Sequence, residues 1–327
     1  MQRRTFLTAA ACGAAAAGAA GAPAAAKLPR HMYSPSQRRW RVAFGLNGFM
    51  SSEAEFKRRY PIWEVLEFAQ REGFDGIELV DGWPQGPYPA HDQDAKIASL
   101  RDLCARYNLK IFSIQTPADA AFHPDPAVRA EYVARFRGWA ALARKLGGEC
   151  IGIWPGGPLH GQSLDAAAAN LIGSLREAAA IARDNGLLAS VELEPPFPFN
   201  TIDMLIRIVD GVDHPCLRGM YDPSHFDLMT GGKGTPEEGL RRVGVERIGY
   251  LHLTDSDGTI FGGTSRHLPC GEGHIDIAKS LDLLWEGGYT GWIMIDAWMT
   301  EDPYRACRKG KDAVLKVLNN AGREPAK

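Results

Sequence analysis

Two carboxylates follow a short apolar segment near the middle of the chain. Residues 188–191 are apolar and β-prone, which predicts a buried strand. Glu192 and Glu194 come next, two residues apart, so in an extended chain their side chains lie on the same side. Pro195 and Pro196 end the strand because proline has no N–H to donate. Burying this charge costs free energy unless a metal ion or another group compensates it, whereas an exposed loop would avoid the cost.

Titratable side chains recur where other apolar runs end. They are Glu78, Asp222, His225, His252 and Asp296. Each has an ordinary structural interpretation as well. Asp222 precedes a proline and suits a turn, His252 lies between two leucines and suits a core, and Asp296 suits a helix cap. Whether these residues act together depends on the elements that carry them.

Strand-like and helix-like segments alternate along the chain. The predicted strands cover 41–47, 74–80, 110–115, 150–154, 188–191, 217–221, 248–253 and 292–295. The predicted helices cover 62–72, 94–107, 126–146, 164–185, 201–209, 236–243, 276–285 and 303–318. Such alternation predicts an α/β protein with a parallel sheet, and eight units in about 280 residues suit a single (β/α)8 TIM barrel. An open doubly wound sheet is the alternative, but residues 45–48 do not form its glycine-rich phosphate turn.

A barrel of this kind carries its site at the C-terminal ends of the strands. There Glu192, Asp222, His252 and Asp296 would converge from four consecutive strands. Three carboxylates and one imidazole form a mostly oxygen donor set, which suits Mn²⁺, Mg²⁺ or Co²⁺, with Zn²⁺ and Fe²⁺ as further options. Without a metal, the carboxylates would repel one another and raise one another's pKa. We therefore predict one divalent metal ion, Mn²⁺ before the others.

Six segments together resemble the sugar phosphate isomerase/epimerase family, the xylose isomerase-like barrels. They are residues 73–79 (GFDGIEL), 191–195 (VELEP), 221–225 (YDPSH), 251–255 (LHLTD), 266–273 (RHLPCGEG) and 289–296 (YTGWIMID). The similarity spans about residues 41–318, and the order and spacing of the segments are more specific than any single motif. One position departs from the family's pattern, because the family usually has Glu where this chain has Asp296.

The resemblance implies a divalent-metal-dependent sugar isomerase or epimerase that abstracts a proton next to a carbonyl through a metal-bound enediolate. Its metal ligands would be Glu192, Asp222, His252 and Asp296. Glu192 would take the proton on one face of the substrate, and Asp296 would return it on the other. The partner is then a small-molecule carbohydrate.

Four positions would bind the substrate. They are Glu78, His225, Arg266 and His267. His225 would hydrogen-bond a substrate oxygen, and Arg266 would neutralise the developing oxyanion. Asp296 is about 1.5 Å shorter than Glu, and a proton donor must lie within about 3 Å of its target. The shorter side chain favours one carboxylate base with a different acid, for which His225, His267 and Glu194 are candidates.

Two alternatives to an isomerase are open. A lyase or hydratase acting on 3-keto-sugars or 3-keto-glycosides would use the same metal and enolate but expel a β-substituent. A non-catalytic periplasmic sugar-binding protein is the second; the change at Asp296 favours it, and the other intact ligands oppose it. Six loop aromatics would stack on a sugar, pack the loops or form a homodimer contact. These are Trp83, Tyr88, Trp154, Phe197, Phe199 and Trp298.

The first 26 residues predict a targeting segment. Arg3 and Arg4 begin a twin-arginine pattern, an alanine-rich run follows, and small residues at 22–26 suit cleavage. We expect twin-arginine (Tat) export to the periplasm, with residues 27–40 as an extended leader and 41–327 as the barrel. No later apolar run is long enough to span a bilayer. Export favours unphosphorylated sugars, because phosphorylated sugars mostly stay in the cytoplasm.

Charge and cysteine usage exclude two further classes. The formal net charge is −2 and no dense basic run occurs, which argues against a nucleic-acid partner and an endonuclease IV-type phosphodiesterase. Beyond residue 26 the cysteines are odd in number and lack a Cys-x-x-Cys motif, so metal binding or a disulfide framework is not expected. They are Cys104, Cys150, Cys216, Cys270 and Cys307. Cys104 and Cys150 suit core positions.

Overall fold

Eight parallel strands close into a barrel in the computed structural model, which describes residues 40–80 and 88–320. The strands are β1 Arg41–Gly45, β2 Gly76–Val80, β3 Lys110–Pro117, β4 Cys150–Trp154, β5 Leu188–Val191, β6 Leu217–Tyr221, β7 Ile248–Leu253, β8 Ile260–Phe261, β9 Thr264–Ser265 and β10 Trp292–Ile295. Strands β1 to β7 pair in chain order, and β10 closes the barrel between β7 and β1. Strands β8 and β9 form a separate antiparallel hairpin. The predicted (β/α)8 fold is confirmed.

Helices follow the barrel strands on the outside. They are α1 Leu46–Phe56, α2 Ile62–Glu72, α3 Asp94–Arg106, α4 Pro126–Lys145, α5 Leu164–Asp184, α6 Ile202–Val212, α7 Pro223–Met229, α8 Pro236–Val243, α9 Ile277–Glu286 and α10 Pro303–Asn320. Two of these helices have well-defined caps. Gly73 ends α2 in the left-handed conformation with φ 68°, and the Thr201 hydroxyl accepts from the Met204 N–H at the start of α6. Single turns of 3₁₀ helix lie at Asp119–Phe122 and Val245–Arg247.

Three elements differ from the sequence-based expectation. The first strand ends at Gly45, and α1 begins at once, so Asn47 is helical rather than extended. Helix α7 and the β8–β9 hairpin were not predicted. Both are short pieces in loops, and such pieces depend on tertiary contacts more than on their own periodicity. All three lie beyond the C-terminal ends of barrel strands.

A plug of large side chains fills the barrel interior below those ends. Phe112 stacks on Trp292 with ring centroids 4.6 Å apart, and Tyr250 packs edge-on against Phe112. The buried side chains of Met220 and Met294 belong to the same cluster. Side chains on one face of a strand recur every second residue. The residues two positions beyond the plug therefore face the same interior, one layer higher.

The first described residue is Trp40. The predicted signal segment and residues 27–39 of the leader lie outside the described residues. Trp40, expected as the last leader residue, is buried and donates from its indole N–H to the Tyr289 carbonyl. Cys104 and Cys150 are buried core residues, as predicted, and the five cysteines of the described ranges are free. In those ranges no helix has the length and apolar character needed to cross a bilayer.

Candidate active site

The C-terminal ends of the barrel strands surround a cavity of about 440 Å³. Two residues one layer above the plug line its floor: His252 follows Tyr250 by two, and Asp296 follows Met294 by two. Asp222, two residues after Met220, faces the same interior and lies 3.6 Å from His267. The β8–β9 hairpin brings His267 to the same place. The barrel thus gathers residues that are far apart in the chain, as the strand-end argument predicts.

Three carboxylate oxygens and three imidazole nitrogens alternate around a ring in this floor, which we call the carboxylate–imidazole ring. No member is more than 6% exposed. Each nitrogen faces two oxygens, and each oxygen faces two nitrogens. His252 Nδ1 lies 2.8 Å from Glu192 Oε1 and 3.5 Å from Asp296 Oδ2. His267 Nε2 lies 3.6 Å from both Asp296 Oδ2 and Asp222 Oδ2. His225 Nε2 lies 3.8 Å from Asp222 Oδ2 and 3.7 Å from Glu192 Oε1, which closes the ring.

Three inward atoms of the ring are buried without a hydrogen-bond partner among the described residues. They are Glu192 Oε1, Asp222 Oδ2 and His252 Nδ1, and all lie within 4.8 Å of one another. The 2.8 Å approach of Glu192 to His252 does not have the angles of a hydrogen bond. Unpartnered buried polar atoms are rare in folded proteins and costly. A divalent cation between them would satisfy all three, so the donor set fits the predicted metal.

Asp222 serves the fold with one oxygen and faces the ring with the other. Its Oδ1 caps α7, accepting from the Ser224 N–H and the Ser224 hydroxyl at 2.7 Å each. Its Oδ2 has no partner among the described residues and points to the ring. The interpretation as a turn residue and the interpretation as a ligand therefore apply to different oxygens of one side chain.

Amide side chains anchor the other two carboxylates. Asp296 Oδ1 accepts from Asn47 Nδ2 at 3.1 Å and from the Trp298 N–H at 2.9 Å. Glu192 Oε2 accepts from Gln115 Nε2 at 2.6 Å. From the sequence, Asn47 and Gln115 are predicted only as the last residues of two strands. An amide at the end of a barrel strand was the one available signal for them, since an amide can donate where a carboxylate needs holding.

Hydrogen bonds outside the ring set the tautomers of two histidines. His252 Nε2 lies 2.9 Å from Glu78 Oε2, and Glu78 also accepts from the Tyr250 hydroxyl at 2.7 Å. His267 Nδ1 lies 2.8 Å from the Ser265 carbonyl oxygen. Carboxylates and carbonyls accept, so the outer nitrogens carry the protons. In the neutral rings, His252 Nδ1 and His267 Nε2 are then lone-pair atoms directed inward.

A chain of two serine hydroxyls sets the tautomer of the third ring histidine, His225. The Ser224 hydroxyl donates its only proton to Asp222, so at 2.8 Å it must accept from the Ser265 hydroxyl. Ser265 has then used its own proton and accepts from His225 Nδ1, also at 2.8 Å. His225 Nε2 is therefore the inward atom. All three inward nitrogens are available as proton acceptors or ligands in the neutral rings.

Neighbouring imidazoles lower the pKa values of Asp222 and Asp296. Burial alone would raise the pKa of Asp222, but His225 and His267 outweigh burial and hold that pKa below its ordinary value. The pKa of Asp296 is lowered in the same way, chiefly by His267 and then by His252. These two carboxylates are thus ionised at neutral pH. They are ready to bind a cation without losing a proton.

The pKa values of His252 and His267 shift in the opposite sense. Burial alone would lower the pKa of His252, but the carboxylates of Glu192 and Glu78 raise it well above the ordinary value. Burial would also lower the pKa of His267, but the carboxylates of Asp296 and Asp222 outweigh burial and raise that pKa well above the ordinary value. In the metal-free protein these rings hold protons. A metal ion at the ring must therefore displace protons from them.

Two predicted substrate-binding residues lie elsewhere. Glu78 is buried beneath His252 and does not line the cavity, so its partner is a ring histidine instead of a substrate hydroxyl. Arg266 pairs with Asp257 at 3.0 Å, has a side chain 49% exposed and is absent from the cavity wall. Arg266 and His267 are neighbours in an extended segment, and successive side chains point to opposite sides. Because His267 points inward, Arg266 points to solvent.

The cavity wall above the ring is aromatic and carries one more carboxyl group. Trp154 and Phe197 pack edge to face with centroids 5.1 Å apart, and Trp298 lines the same cavity. Glu194 accepts a hydrogen bond from the Trp154 indole N–H. Burial raises the pKa of Glu194, and His225 opposes the rise.

The other candidate aromatics lie elsewhere or are not described. Phe199 is a core residue, and Tyr88 lines a different cavity. Trp83 falls outside the described residues. The sugar-stacking hypothesis therefore applies to the aromatic residues of the cavity wall.

Comparison with known proteins agrees with this architecture. The profile of the xylose isomerase-like TIM barrel family matches residues 66–316. The chain therefore belongs to the xylose isomerase-like TIM barrel family.

Individual relatives are distant. Inosose isomerase of Halalkalibacterium halodurans is 22% identical over 264 residues, covering 78% of this chain and 90% of the relative. L-ribulose-5-phosphate 3-epimerase UlaE of Salmonella typhi is 22% identical over 274 residues, covering 79% and 90%. The crystal structure of the IolI protein with a zinc atom matches with a TM-score of 0.67 at 18% identity, covering 86% of this chain and 98% of that one.

Proposed function

We propose that the protein is a divalent-metal-dependent sugar isomerase or epimerase that moves a proton next to a carbonyl. The observation that carries this proposal is the carboxylate–imidazole ring, with its unpartnered inward atoms, at the mouth of the barrel. Relatives named as an inosose isomerase and an L-ribulose-5-phosphate 3-epimerase support a sugar or polyol ketone as substrate.

Glu192, Asp222, His252 and Asp296 are the proposed metal ligands. Their inward atoms form a mixed oxygen and nitrogen set, and the IolI structure with its zinc atom supports a divalent ion in this fold. We favour Mn²⁺ for the oxygen-rich set, with Mg²⁺, Co²⁺, Zn²⁺ and Fe²⁺ as the other candidates. When bound, the ion supplies Lewis acidity that acidifies the C–H next to a substrate carbonyl.

Glu192 is the proposed base. Gln115 holds its Oε2, which leaves Oε1 facing the cavity floor. Asp296 is less suited to proton transfer, because its side chain is one methylene shorter than that of Glu. His225 Nε2 lies 3.7 Å from Glu192 Oε1, and the serine chain holds the ring in place. We therefore assign proton return to His225 in an isomerisation, where the proton can return from the side on which Glu192 removed it. An epimerisation needs an acid on the opposite face, which is the role of Asp296.

A lyase or hydratase on 3-keto-sugars is the second candidate, and Glu194 is the observation that favours it. This carboxyl group lies in the cavity wall above the ring, and burial raises its pKa. A carboxyl group with a raised pKa suits the role of an acid that protonates a departing β-substituent. The first half of the reaction, removal of a proton by Glu192, is the same in both candidates.

Exchange of substrate hydrogen with solvent tests the proposal. Metal-loaded protein is incubated in D₂O with a panel of ketoses and 3-keto-glycosides, and NMR follows deuterium entering a C–H bond. We expect exchange with at least one substrate and a loss of roughly 10²–10⁴-fold in Glu192→Gln, the usual contribution of a general base. Glu246→Gln, an exposed change at the opposite end of the barrel, is the matched control.

The outcomes separate the candidates. Exchange with formation of an epimer or isomer supports the leading proposal, and exchange with loss of a β-substituent supports the lyase. Tight binding with no exchange across the panel would mean a sugar-binding protein. Exchange at the wild-type rate in Glu192→Gln would exclude Glu192 as the base.

We also propose export by the twin-arginine route, which rests on the sequence of residues 1–26 alone. Replacing Arg3 and Arg4 by lysine should keep the tagged protein in the cytoplasm, because the transport machinery reads the arginine pair. Cell fractionation of a Gram-negative host measures the distribution. Equal periplasmic amounts of wild type and double variant would contradict this route.

A further inference from the structure

Among the described residues, no Lys or Arg lines the wall of the cavity, and its basic side chains are the imidazoles of the carboxylate–imidazole ring. Its polar groups include the carboxylates of Glu192, Glu194 and Asp296. Arg266, the one arginine expected there, pairs with Asp257 at the surface. Residues 81–87 follow strand β2 and contain no Lys or Arg in their sequence.

This charge distribution disfavours a phosphate ester. A phosphate monoester carries roughly −1.5 to −2 charges at pH 7 and offers only acceptor oxygens beyond its second ionisation. Proteins hold such groups with Arg, Lys or backbone N–H groups at helix N-termini. Beside carboxylates in a partly enclosed cavity, the phosphate would meet repulsion and lose its hydration.

The same wall suits hydroxyl groups. After accepting from the Trp154 indole, the Glu194 carboxylate retains acceptor capacity, since it offers about four lone-pair sites. Trp298 supplies the complementary donor, because its indole nitrogen is buried and lacks a partner among the described residues. A sugar carries several hydroxyls that can donate and accept, so one substrate in this cavity can offer a partner to each group. The rings of Trp154 and Phe197 offer apolar surface for the C–H face of a sugar.

We infer that Glu194 and Trp298 form a subsite for the neutral, hydroxyl-bearing end of the substrate, which is therefore an unphosphorylated sugar or glycoside. The inference rests on the proposed function, because the other end of the same molecule would lie over the carboxylate–imidazole ring. Glu194 acts here as a hydrogen-bond acceptor for a distal hydroxyl. In the isomerase or epimerase reaction it takes no part in proton transfer.

Matched substrate pairs test the class of substrate. The metal-loaded wild type is given D-fructose and D-fructose 6-phosphate, L-ribulose and L-ribulose 5-phosphate, and a methyl 3-keto-glucoside. Deuterium wash-in gives kcat/KM for each. We expect the unphosphorylated member of each active pair to be favoured by at least tenfold. Activity on the methyl 3-keto-glucoside alone identifies a glycoside, and activity on the free ketoses identifies a free sugar.

Two variants test the subsite itself. Trp298→Phe keeps the aromatic ring and removes the N–H, so KM for the neutral substrate should rise about 3- to 10-fold with kcat nearly unchanged, the effect of one neutral hydrogen bond. Glu194→Lys should raise the ratio of kcat/KM for the phosphorylated over the neutral member by at least tenfold. Glu246→Lys makes the same charge change at the opposite end of the barrel and should leave the ratio as it is.

Different results would overturn the neutral subsite and the proposed isomerase or epimerase activity. A wild type that exchanges phosphorylated ketoses as well as the free ones would overturn the neutral subsite while leaving the isomerase intact. An unchanged KM in Trp298→Phe together with an unchanged ratio in Glu194→Lys would also overturn it. Absence of exchange with every compound would instead count against the proposed function.

Discussion

At the scale of single residues, each ring carboxylate divides its two oxygens between fold and site. Asp222 caps a helix with one oxygen, and Asn47 and Gln115 hold one oxygen each of Asp296 and Glu192. The second oxygen of each side chain faces the ring. Anchoring one oxygen reduces the side-chain entropy lost when a ligand binds the other, which is how an outer contact pre-organises a metal site.

Glu78 is the outer residue whose effect is easiest to isolate. Glu78→Gln replaces the charged acceptor of His252 Nε2 by an amide of nearly the same shape. We expect the metal Kd to weaken by about 10–100-fold, the usual effect of losing a partner behind a ligand. Competition with a chromogenic chelator measures the Kd, and Glu67→Gln on the exposed face of α2 is the control. An unchanged Kd would mean that Glu78 does not orient His252.

Metal affinity should depend on pH in a definite direction. The raised pKa of His252 means that the metal-free ring holds a proton that the ion must displace. The Kd should therefore tighten as pH rises from 6 to 8, by up to about tenfold per pH unit for each proton displaced while pH stays below that raised pKa. Calorimetry in buffers of different ionisation enthalpy counts the released protons. A Kd independent of pH would contradict the protonated state of the ring.

At the scale of elements, strand periodicity accounts for what the sequence could predict. Alternation along β6, β7 and β10 places a plug residue and then a site residue on one face, so the positions of Asp222, His252 and Asp296 follow from the strand bounds. The approach of His267 did not follow, because the β8–β9 hairpin that carries it has no periodic signal. The outward turn of Arg266 was equally hidden, since the motif fixes the order of neighbours but not which one faces inward.

Two glycines give a stability test of the barrel wall. At Gly76 in β2, a Cβ would lie 2.4 Å from the backbone oxygen of Lys110, which has little freedom to move. Gly76→Ala should lower the free energy of unfolding by about 1–3 kcal/mol through overpacking. Gly173 in α5 has open space around it, so Gly173→Ala should raise that energy by roughly 0.5–1 kcal/mol.

Urea unfolding measures both variants against the wild type. Each variant adds one methyl group. Opposite changes in the free energy of unfolding would therefore show that the space around each glycine decides whether the methyl group stabilises or destabilises the fold. A Gly76→Ala variant as stable as the wild type would contradict the close approach of β2 and β3 at Gly76, and a destabilised Gly173→Ala variant would contradict the open space at Gly173.

At the scale of the whole molecule, the site joins parts of the chain that only the folded barrel brings together. Asn47 reaches Asp296 across 249 residues, and Glu78 reaches His252 across 174. An unfolded chain has no preformed donor set of this kind. A metal ion at the ring therefore binds the folded state and stabilises the complete barrel rather than one loop.

Metal binding should consequently raise the free energy of unfolding. The slope of that energy against the logarithm of the free metal concentration gives the number of ions bound. For one site that is absent from the unfolded chain, free metal at 100 times Kd adds about 2.7 kcal/mol, and each further tenfold adds about 1.4 kcal/mol. Urea titrations at several buffered Mn²⁺ concentrations give this slope. His252→Ala removes a ring nitrogen, so its stability should not change over the same range. A slope near 2.8 kcal/mol per decade would mean two ions, and the second three-residue set, Asp222, His225 and His267, would then be the place for the other.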